Sequence, residues 1–212
     1  LRARFLRRWQ QFTSPVMAKS LEDTVFYRYV RLVSLNDVGS EPRRFGLTAS
    51  AFHQANLQRA RYRPHNLLAT STHDSKRSED LRARLNVLSE IPALWEDTAL
   101  QLRELGERFA SEVDGDTAPR AHDLWALYQA LVGIWPTHAT QPDERQELRE
   151  RIQQYMVKAM REAKQQTNWL FPNEAYENAV ARYIDGALST ERFVRELERF
   201  VQSIAPYGYR NS

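Results

Sequence analysis

The sequence predicts a mainly helical chain with one or two short strands, which forms a piece of a larger α/β fold. Most segments repeat apolar residues every three to four positions, as amphipathic helices do. Residues 66–70 are the best strand candidate, and residues 15–18 read either as a short strand or as the first turn of a helix. Two strands leave their edges unpaired and cannot make an independent sheet. We therefore expect these strands to need partners from elsewhere.

The helical periodicity predicts about eight or nine helices. Ser14-Pro15 should end the first of them, because the residue before a proline avoids the helical region. Thr48 is the expected N-cap of the third helix. Residues 113–119 and 135–142 are clear breaks between later helices. The predicted helices are residues 1–12, 21–32, 48–61, 76–89, 92–111, 121–134, 143–166, 173–187 and 190–204.

Two of these helices show a clear apolar face. In the first helix the face consists of Leu1, Phe5, Trp9 and Phe12. In the long seventh helix it consists of Leu148, Ile152, Tyr155, Met156 and Ala159.

Length and composition bound the class of protein. The chain has 212 residues, of which 42% are hydrophobic, and this suffices for one large domain or two small ones. No run of about 18 apolar residues occurs, so we expect no membrane span. Cysteine is absent, which excludes disulfides and thiolate metal sites and fits a cytoplasmic protein. The first residue is leucine, so we expect a chain that was processed or cut from a longer one.

The balance of charge leaves a second class of function open. The net charge is +3 and the isoelectric point is about 9.3, which permits nucleic-acid binding without arguing for it. The Arg-rich N-terminus, Arg2 to Arg8, would suit a non-enzymatic helical module that binds an acidic partner or nucleic acid. The apolar stripe on the same helix favours packing within a larger fold instead. We therefore expect no nucleic-acid partner.

The first candidate site is His73-Asp74. A short apolar run ends at a polar turn, and the His-Asp pair then precedes a charged helical segment. Barrel enzymes of alternating strands and helices mount their chemistry at such strand-to-helix junctions. The local sequence taken alone favours a simpler interpretation, in which Asp74 is the N-cap of the next helix. The two interpretations are compatible.

The second candidate site is the segment from Lys19 to Asp23. If residues 15–18 form a strand, then Lys19, Glu22 and Asp23 lie beyond its carboxyl end, on the same face as Asp74. Glu22 and Asp23 could then act as a pair of carboxylates in acid–base chemistry. The simpler interpretation is an acidic first turn of a helix.

The sequence contains none of the usual metal or cofactor signatures. The five histidines show neither HxH nor HExxH spacing, and the seven glycines form no phosphate-binding loop. There is no GxSxG nucleophile elbow. We therefore expect neither a metal nor an organic cofactor.

Several long segments resemble maltooligosyl trehalose synthases, a family of the α-amylase superfamily of retaining glycoside hydrolases. Residues 68–85 closely resemble the family's LATSTHDTKRSEDVRARL segment, and residues 14–29 its GPVMAKGxEDTAFYRY segment. Residues 34–39, 155–164 and 172–177 also fit the family. The resemblance implies a mainly α fragment of a (β/α)8 TIM-barrel catalytic domain. Residues 1–90 would be a barrel-derived βα segment, and residues 91–212 a helical insertion subdomain.

The resemblance also implies a reaction and a set of roles. The family converts the reducing-end α-1,4 bond of a maltodextrin into an α,α-1,1 bond by intramolecular transglycosylation. Asp74 would be the transition-state stabiliser, because it would bind the 2- and 3-hydroxyls of the transferred sugar. His73 would hold the same ring, and Lys19 would lie near the reducing-end glucose. Lys76 and Arg77 would complete the substrate-binding set.

The chain departs from the family pattern in ways that bear on its activity. The superfamily's nucleophile Asp lies in a GxRxDxxxG motif and its acid/base Glu on the next strand, and neither motif occurs in this sequence. We therefore expect the isolated chain to be inactive, to need the remainder of a parent barrel, and to self-associate through apolar faces left uncovered. Ser14 and Ser20 replace glycines, which removes access to positive φ near Lys19.

Overall fold

A computed structural model describes residues 2–212 and shows a mainly helical fold with two short strands, which confirms the predicted class. The helices are α1 (Arg2–Met17), α2 (Phe26–Arg28), α3 (Ala49–Tyr62), α4 (Glu79–Asn86), α5 (Pro92–Gly106), α6 (Ala121–Ile134), α7 (Pro142–Ala163), α8 (Glu174–Leu188) and α9 (Glu191–Asn211). A π-helix (Ala18–Val25) joins α1 to α2, and single 3-10 turns occupy Val33–Leu35, Val87–Ser89 and Glu107–Phe109. Within the described residues, no helix has both the length and the apolarity of a membrane span.

The two strands lie at a different place from the predicted ones. β1 (Ser111–Val113) and β2 (Asp116–Ala118) pair as an antiparallel hairpin inside the segment where we predicted a helix end and a break. Asp114 and Gly115 join them, with φ angles of 55° and 83°. Both residues are left-handed, which is the geometry of a two-residue hairpin turn whose twist matches its strands.

The predicted strand at residues 66–70 is wrong. This segment has no regular structure, and the residues Leu67 and Leu68 are 100% and 84% exposed. A strand requires lateral hydrogen-bond partners, and no other segment of residues 2–212 pairs with this one.

The N-terminal helix runs further than predicted, because Pro15 does not end it. Pro15 lies inside α1, and three residues later the backbone changes to the wider π-helix. The strand alternative for residues 15–18 is therefore wrong as well. Phe5, Trp9 and Phe12 are all more than half exposed, since α1 projects from the body of the protein and buries none of its residues. Leu1, the first member of this stripe, lies outside the described residues.

The core lies among α4 to α9, and α6, α7 and α8 match their predicted helices within three residues. The predicted helix 92–111 ends at Gly106 instead, and the predicted helix 190–204 runs on to Asn211. The predicted helix 121–134 is α6 with the same limits. Of the predicted apolar face of α7, Leu148, Ile152, Met156 and Ala159 are buried and Tyr155 is half-buried. Thr48 caps α3 as predicted, since its side-chain oxygen accepts the N–H of Ala51 at 3.2 Å. The boundary at residue 90 stays a prediction, and the core contains residues from both sides of it.

One buried polar contact in this core leaves no room for an extra atom. The hydroxyls of Tyr128 and Tyr183 lie 2.6 Å apart, both rings are buried, and desolvation raises the pKa of each phenol. Gly106 of α5 faces this pair. A Cβ at Gly106 would lie 2.1 Å from the Tyr183 hydroxyl oxygen and 2.6 Å from Cζ.

Gly106→Ala should therefore destabilise the fold by about 1–3 kcal/mol, since the buried Tyr183 ring would have to move. Urea denaturation of the purified chain measures this change. Gln101→Ala, at an exposed position of the same helix, is the matched control and should stay within about 0.5 kcal/mol of the parent. A Gly106→Ala chain as stable as this control would contradict the packing described above.

Candidate functional site

The His-Asp pair lies on a tight turn ahead of α4. The N–H of Ser75 donates to the carbonyl oxygen of Thr72 at 3.2 Å, and the N–H of Thr72 donates to the Ser75 hydroxyl at 2.9 Å. The N–H of Asp74 donates to the Thr72 hydroxyl at 3.3 Å. These short-range bonds hold the turn and direct the side chains of His73 and Asp74 outward, where they are 91% and 73% exposed.

Asp74 is not the N-cap of α4, so the simpler interpretation of this residue is wrong. The helix begins at Glu79, and Ser78 occupies the cap position with an extended backbone. The hydroxyl of Ser71 accepts the N–H of Glu79 at 3.1 Å, and hydrogen bonds from Thr70 and Ser71 lower the pKa of the Glu79 carboxyl. Asp74 lies too far ahead of the first turn to take part in this capping. Its carboxylate is instead 3.5 Å from His73 Nε2.

Lys19 and Lys76 meet at a single carboxylate, that of Asp23. Lys19 Nζ is 2.5 Å from Asp23 Oδ2, and Lys76 Nζ is 2.9 Å from Asp23 Oδ1. Partial burial alone would raise the pKa of this carboxyl, but the hydrogen bonds and charges of the two lysines lower it below its ordinary value. Asp23 is therefore a charged acceptor, and not a group that gives up a proton near neutral pH.

The expected carboxylate pair does not form. Asp23 points to the lysines, while Glu22 Oε1 accepts the N–H of Gly39 at 3.3 Å. Both residues lie within the π-helix, so the alternative of an acidic first turn is wrong too. π-Helical stretches occur often at functional sites.

The replacement of glycine by serine at residues 14 and 20 causes no backbone strain. Both serines are helical, and neither is among the positive-φ residues of the described chain.

Asp37 and Arg77 fix the far side of the turn. Asp37 Oδ1 accepts the backbone N–H of Lys76 at 3.3 Å, and Asp37 Oδ2 is 2.7 Å from an Arg82 nitrogen. The second terminal nitrogen of the Arg82 guanidinium donates to the carbonyl oxygen of Thr70. The guanidinium of Arg77 donates to the Val33 carbonyl at 3.1 Å and to the Tyr155 hydroxyl at 2.7 Å. The positive ends of Lys76 and Arg77 are thus engaged with the protein, while that of Lys19 also binds Asp23 but belongs to a side chain that is 73% exposed.

A cleft of about 700 Å³ lies beside this turn, between the loop at residues 34–40 and α4. Its polar lining includes the hydroxyl residues Ser34, Ser40, Thr70, Thr72 and Ser75. Hydroxyls and charged groups of this kind pair well with the hydroxyls of a sugar. Among residues 2–212 no group of three or more His, Asp or Glu side chains is arranged to hold a metal ion.

Sequence reasoning found Lys19, His73, Asp74, Lys76 and Arg77, but it missed what connects them. The structure brings Lys19 and Lys76 together at Asp23 and places Lys76 directly after the turn that carries His73 and Asp74. Asp23 was recognised only as a possible partner of Glu22. The Lys19–Asp23 spacing of four residues on a helix was the available signal.

Comparisons with known proteins agree on one group of relatives. The chain is 42% identical over 188 residues to a Mycobacterium tuberculosis protein assigned as a maltooligosyl trehalose synthase, a match that covers 87% of this chain and 23% of the relative. The maltooligosyltrehalose synthase structure from Arthrobacter ramosus superposes with a TM-score of 0.79 at 38% identity, covering 96% of this chain and 24% of that one. A Sulfolobus tokodaii structure named as the same synthase gives a TM-score of 0.80 at 34% identity, covering 94% and 26%. No family model matches the chain.

The fold is thus that of a helical segment shared by enzymes that are named as synthases of trehalose-ended sugars. The chain spans about a quarter of the length of these relatives. Over that segment it belongs to the maltooligosyl trehalose synthase family, as the resemblance of its motifs indicated.

Replacing Asp37 by Asn should loosen the turn that carries His73 and Asp74. The amide can still accept a hydrogen bond, but it loses the ion pair with Arg82 that fixes it. We expect amide hydrogen exchange of residues 70–77 to become about threefold faster or more, with the protection of α6 and α8 unchanged.

Asp97→Asn, at an exposed position of α5, is the matched control and should alter neither region. Unchanged exchange at residues 70–77 in the Asp37→Asn chain would show that the turn does not depend on this contact.

Proposed function

We propose that this chain is a substrate-binding part of a maltooligosyl trehalose synthase. The parent enzyme would be a glucosylmutase, an isomerase that converts the reducing-end α-1,4 bond of a maltodextrin into an α,α-1,1 bond by intramolecular transglycosylation. The observation that carries the proposal is the 42% identity to such a synthase over 87% of the chain, which includes the His73-Asp74 turn. The exposed carboxylate and the hydroxyl-lined cleft beside it support the sugar as ligand.

In this proposal Asp74 stabilises the transition state. Retaining glycosidases pass through a transition state with positive charge at the sugar ring, and hydrogen bonds to the sugar hydroxyls strengthen as that charge develops. A carboxylate aimed at the 2- and 3-hydroxyls supplies such bonds together with a negative charge. Asp74 is accessible for this contact, and His73 on the same turn can hold the same ring.

Lys19 would contact the reducing-end glucose, which must be retained while it reorients. Its side chain is 73% exposed, so its ammonium can donate to a hydroxyl of that sugar. Lys76 and Arg77 would support the site mainly from its protein side, because their charged ends contact Asp23 and Tyr155. These contacts would fix the position of the turn, so that Asp74 can reach the substrate.

The other partners of the chain follow from the same proposal. The remainder of the parent barrel would supply the nucleophile and the acid/base, whose motifs this sequence does not contain. It would also cover the exposed apolar side chains of α1, and without it the chain would self-associate through them. The cytoplasmic location and the absence of a nucleic-acid partner stay predictions.

The purified 212-residue chain should form no trehalosyl product from maltopentaose. Stabilising a transition state has no effect where no group attacks the sugar and none protonates the leaving oxygen. Chromatography of the carbohydrate products after long incubation tests this expectation, with a full-length synthase as the positive control. Any trehalosyl product formed by the chain alone would refute the assignment of the missing groups to another segment.

In a full-length synthase that contains this segment, Asp74→Asn should lower kcat about a hundredfold or more. The amide keeps the shape of the side chain but removes the charge that the transition state needs. Asp97→Asn is the control with the same chemical change at an exposed helix position and should leave kcat intact. Turnover of the Asp74→Asn enzyme near that of this control would remove Asp74 from the proposed site.

A further inference from the structure

Asp23 occupies a position that the proposed roles do not use. It lies between two ammonium groups that come from distant parts of the chain, since Lys76 follows it by 53 residues. Each carboxylate oxygen takes one of them, with Oδ2 facing Lys19 at 2.5 Å and Oδ1 facing Lys76 at 2.9 Å. The contact therefore joins the π-helix to the segment that follows the His-Asp turn.

Exposure differs along this row of three side chains. The side chain of Lys76 is 14% exposed, that of Asp23 is 23% exposed and that of Lys19 is 73% exposed. An isolated surface pair between Lys19 and Asp23 would be weak, because holding two mobile side chains costs entropy. Here Lys76 holds the carboxylate from the protein side, so that less freedom is lost when Lys19 binds its other oxygen. Asp23 thus presents a fixed anion to an accessible lysine.

We propose that Asp23 is a positioning residue, which holds the Lys19 ammonium toward the reducing-end sugar and ties it to the turn that carries Asp74. This inference rests on the proposed function for the identity of the sugar, and on the geometry of the three side chains for everything else. Asp23 itself does not touch the substrate. Its role is to fix where the one accessible ammonium of this group lies.

The charges around the three residues are consistent with this role. The hydrogen bond and charge of Asp23 raise the pKa of Lys19, and the charge of Glu162 on α7 adds to the effect. Burial raises the pKa of the nearby Tyr27 phenol to about 12, so this group is neutral under ordinary conditions. The charge of Arg77 opposes this rise, and its guanidinium donates to the Tyr155 hydroxyl and not to Asp23. Both lysines donate their hydrogen bonds to Asp23.

The four lysines of the chain make the inference testable by chemical labelling. They are Lys19, Lys76, Lys158 and Lys164. Acetic anhydride acylates only the unprotonated amine, so a lysine held as an ammonium by a carboxylate reacts slowly. Lys158 is exposed and serves as the internal reference, whereas Lys164 donates to the Thr24 hydroxyl at 3.0 Å and is less suitable.

Asp23→Asn should increase the acylation rate of Lys19 about threefold or more relative to Lys158, because the two ammonium groups are then left beside a neutral amide. The rates are to be measured by mass spectrometry over a series of pH values below the ordinary lysine pKa. Asp23→Glu, which restores the charge, should return the rate toward that of the parent. Glu22→Gln is the matched control, since Glu22 binds the Gly39 N–H and neither lysine. It should leave Lys19 unchanged.

An unchanged Lys19 rate in a folded Asp23→Asn chain would overturn the inference. If that variant does not fold, NMR titration of the lysine side chains in the unmodified chain decides instead. Lys19 is then expected to titrate above the ordinary lysine pKa, and titration at the ordinary value would overturn the proposal.

The failure of this inference is separate from that of the proposed function. The labelling experiment tests the contact among the three side chains and does not depend on any substrate. In a full-length synthase, Asp23→Asn should raise KM more than it lowers kcat, and Asp23→Glu should recover part of the loss. Changed labelling of Lys19 with unchanged KM would overturn the part of the inference that concerns the sugar, while Asp74→Asn tests the function itself.

Discussion

The buried amide of Gln129 is the contact on which the position of the candidate site depends. Its oxygen accepts the N–H of Val33 at 2.9 Å, and its nitrogen donates to the carbonyl of Val30 at 2.8 Å. These bonds fasten the segment after α2 to α6 at the centre of the bundle. Leaving a buried amide without hydrogen-bond partners costs about 1–3 kcal/mol. The Gln129 amide therefore favours the one position of the Val30–Val33 backbone that satisfies it. The next residues, Asn36 and Asp37, then have little freedom, and Asp37 reaches the backbone of Lys76.

The helices of the bundle were predictable because their signals are local. α6 and the apolar face of α7 follow from the periodicity of apolar residues, and the cap at Thr48 from its residue type. Two errors had local causes as well. Pro15 lies inside α1, so a proline that removes one backbone hydrogen bond did not end the helix. The Asp114-Gly115 turn joins strands that are too short to give an alternating pattern.

The candidate site was predictable only in part. Long motifs pointed to Asp74, His73 and Lys19, since these residues stand at fixed places in recognisable segments. The partner of the lysines was not predictable, because the contact between Asp23 and Lys76 joins residues 53 positions apart. Asp74 was interpreted as a cap because the sequence does not reveal that four further residues separate it from the first residue of the helix.

The exposed pair Leu67 and Leu68 has a consequence for how a longer chain would fold. These leucines have the apolar character of a buried strand, but they are exposed because residues 2–212 contain no strand beside them. Their conformation is therefore decided by the surroundings and not by the segment itself. In a longer chain that supplied a neighbouring strand, they would take a fixed shape only when that strand paired with them. Before that pairing they would be an exposed apolar segment, to which chaperones and other copies of the chain could bind.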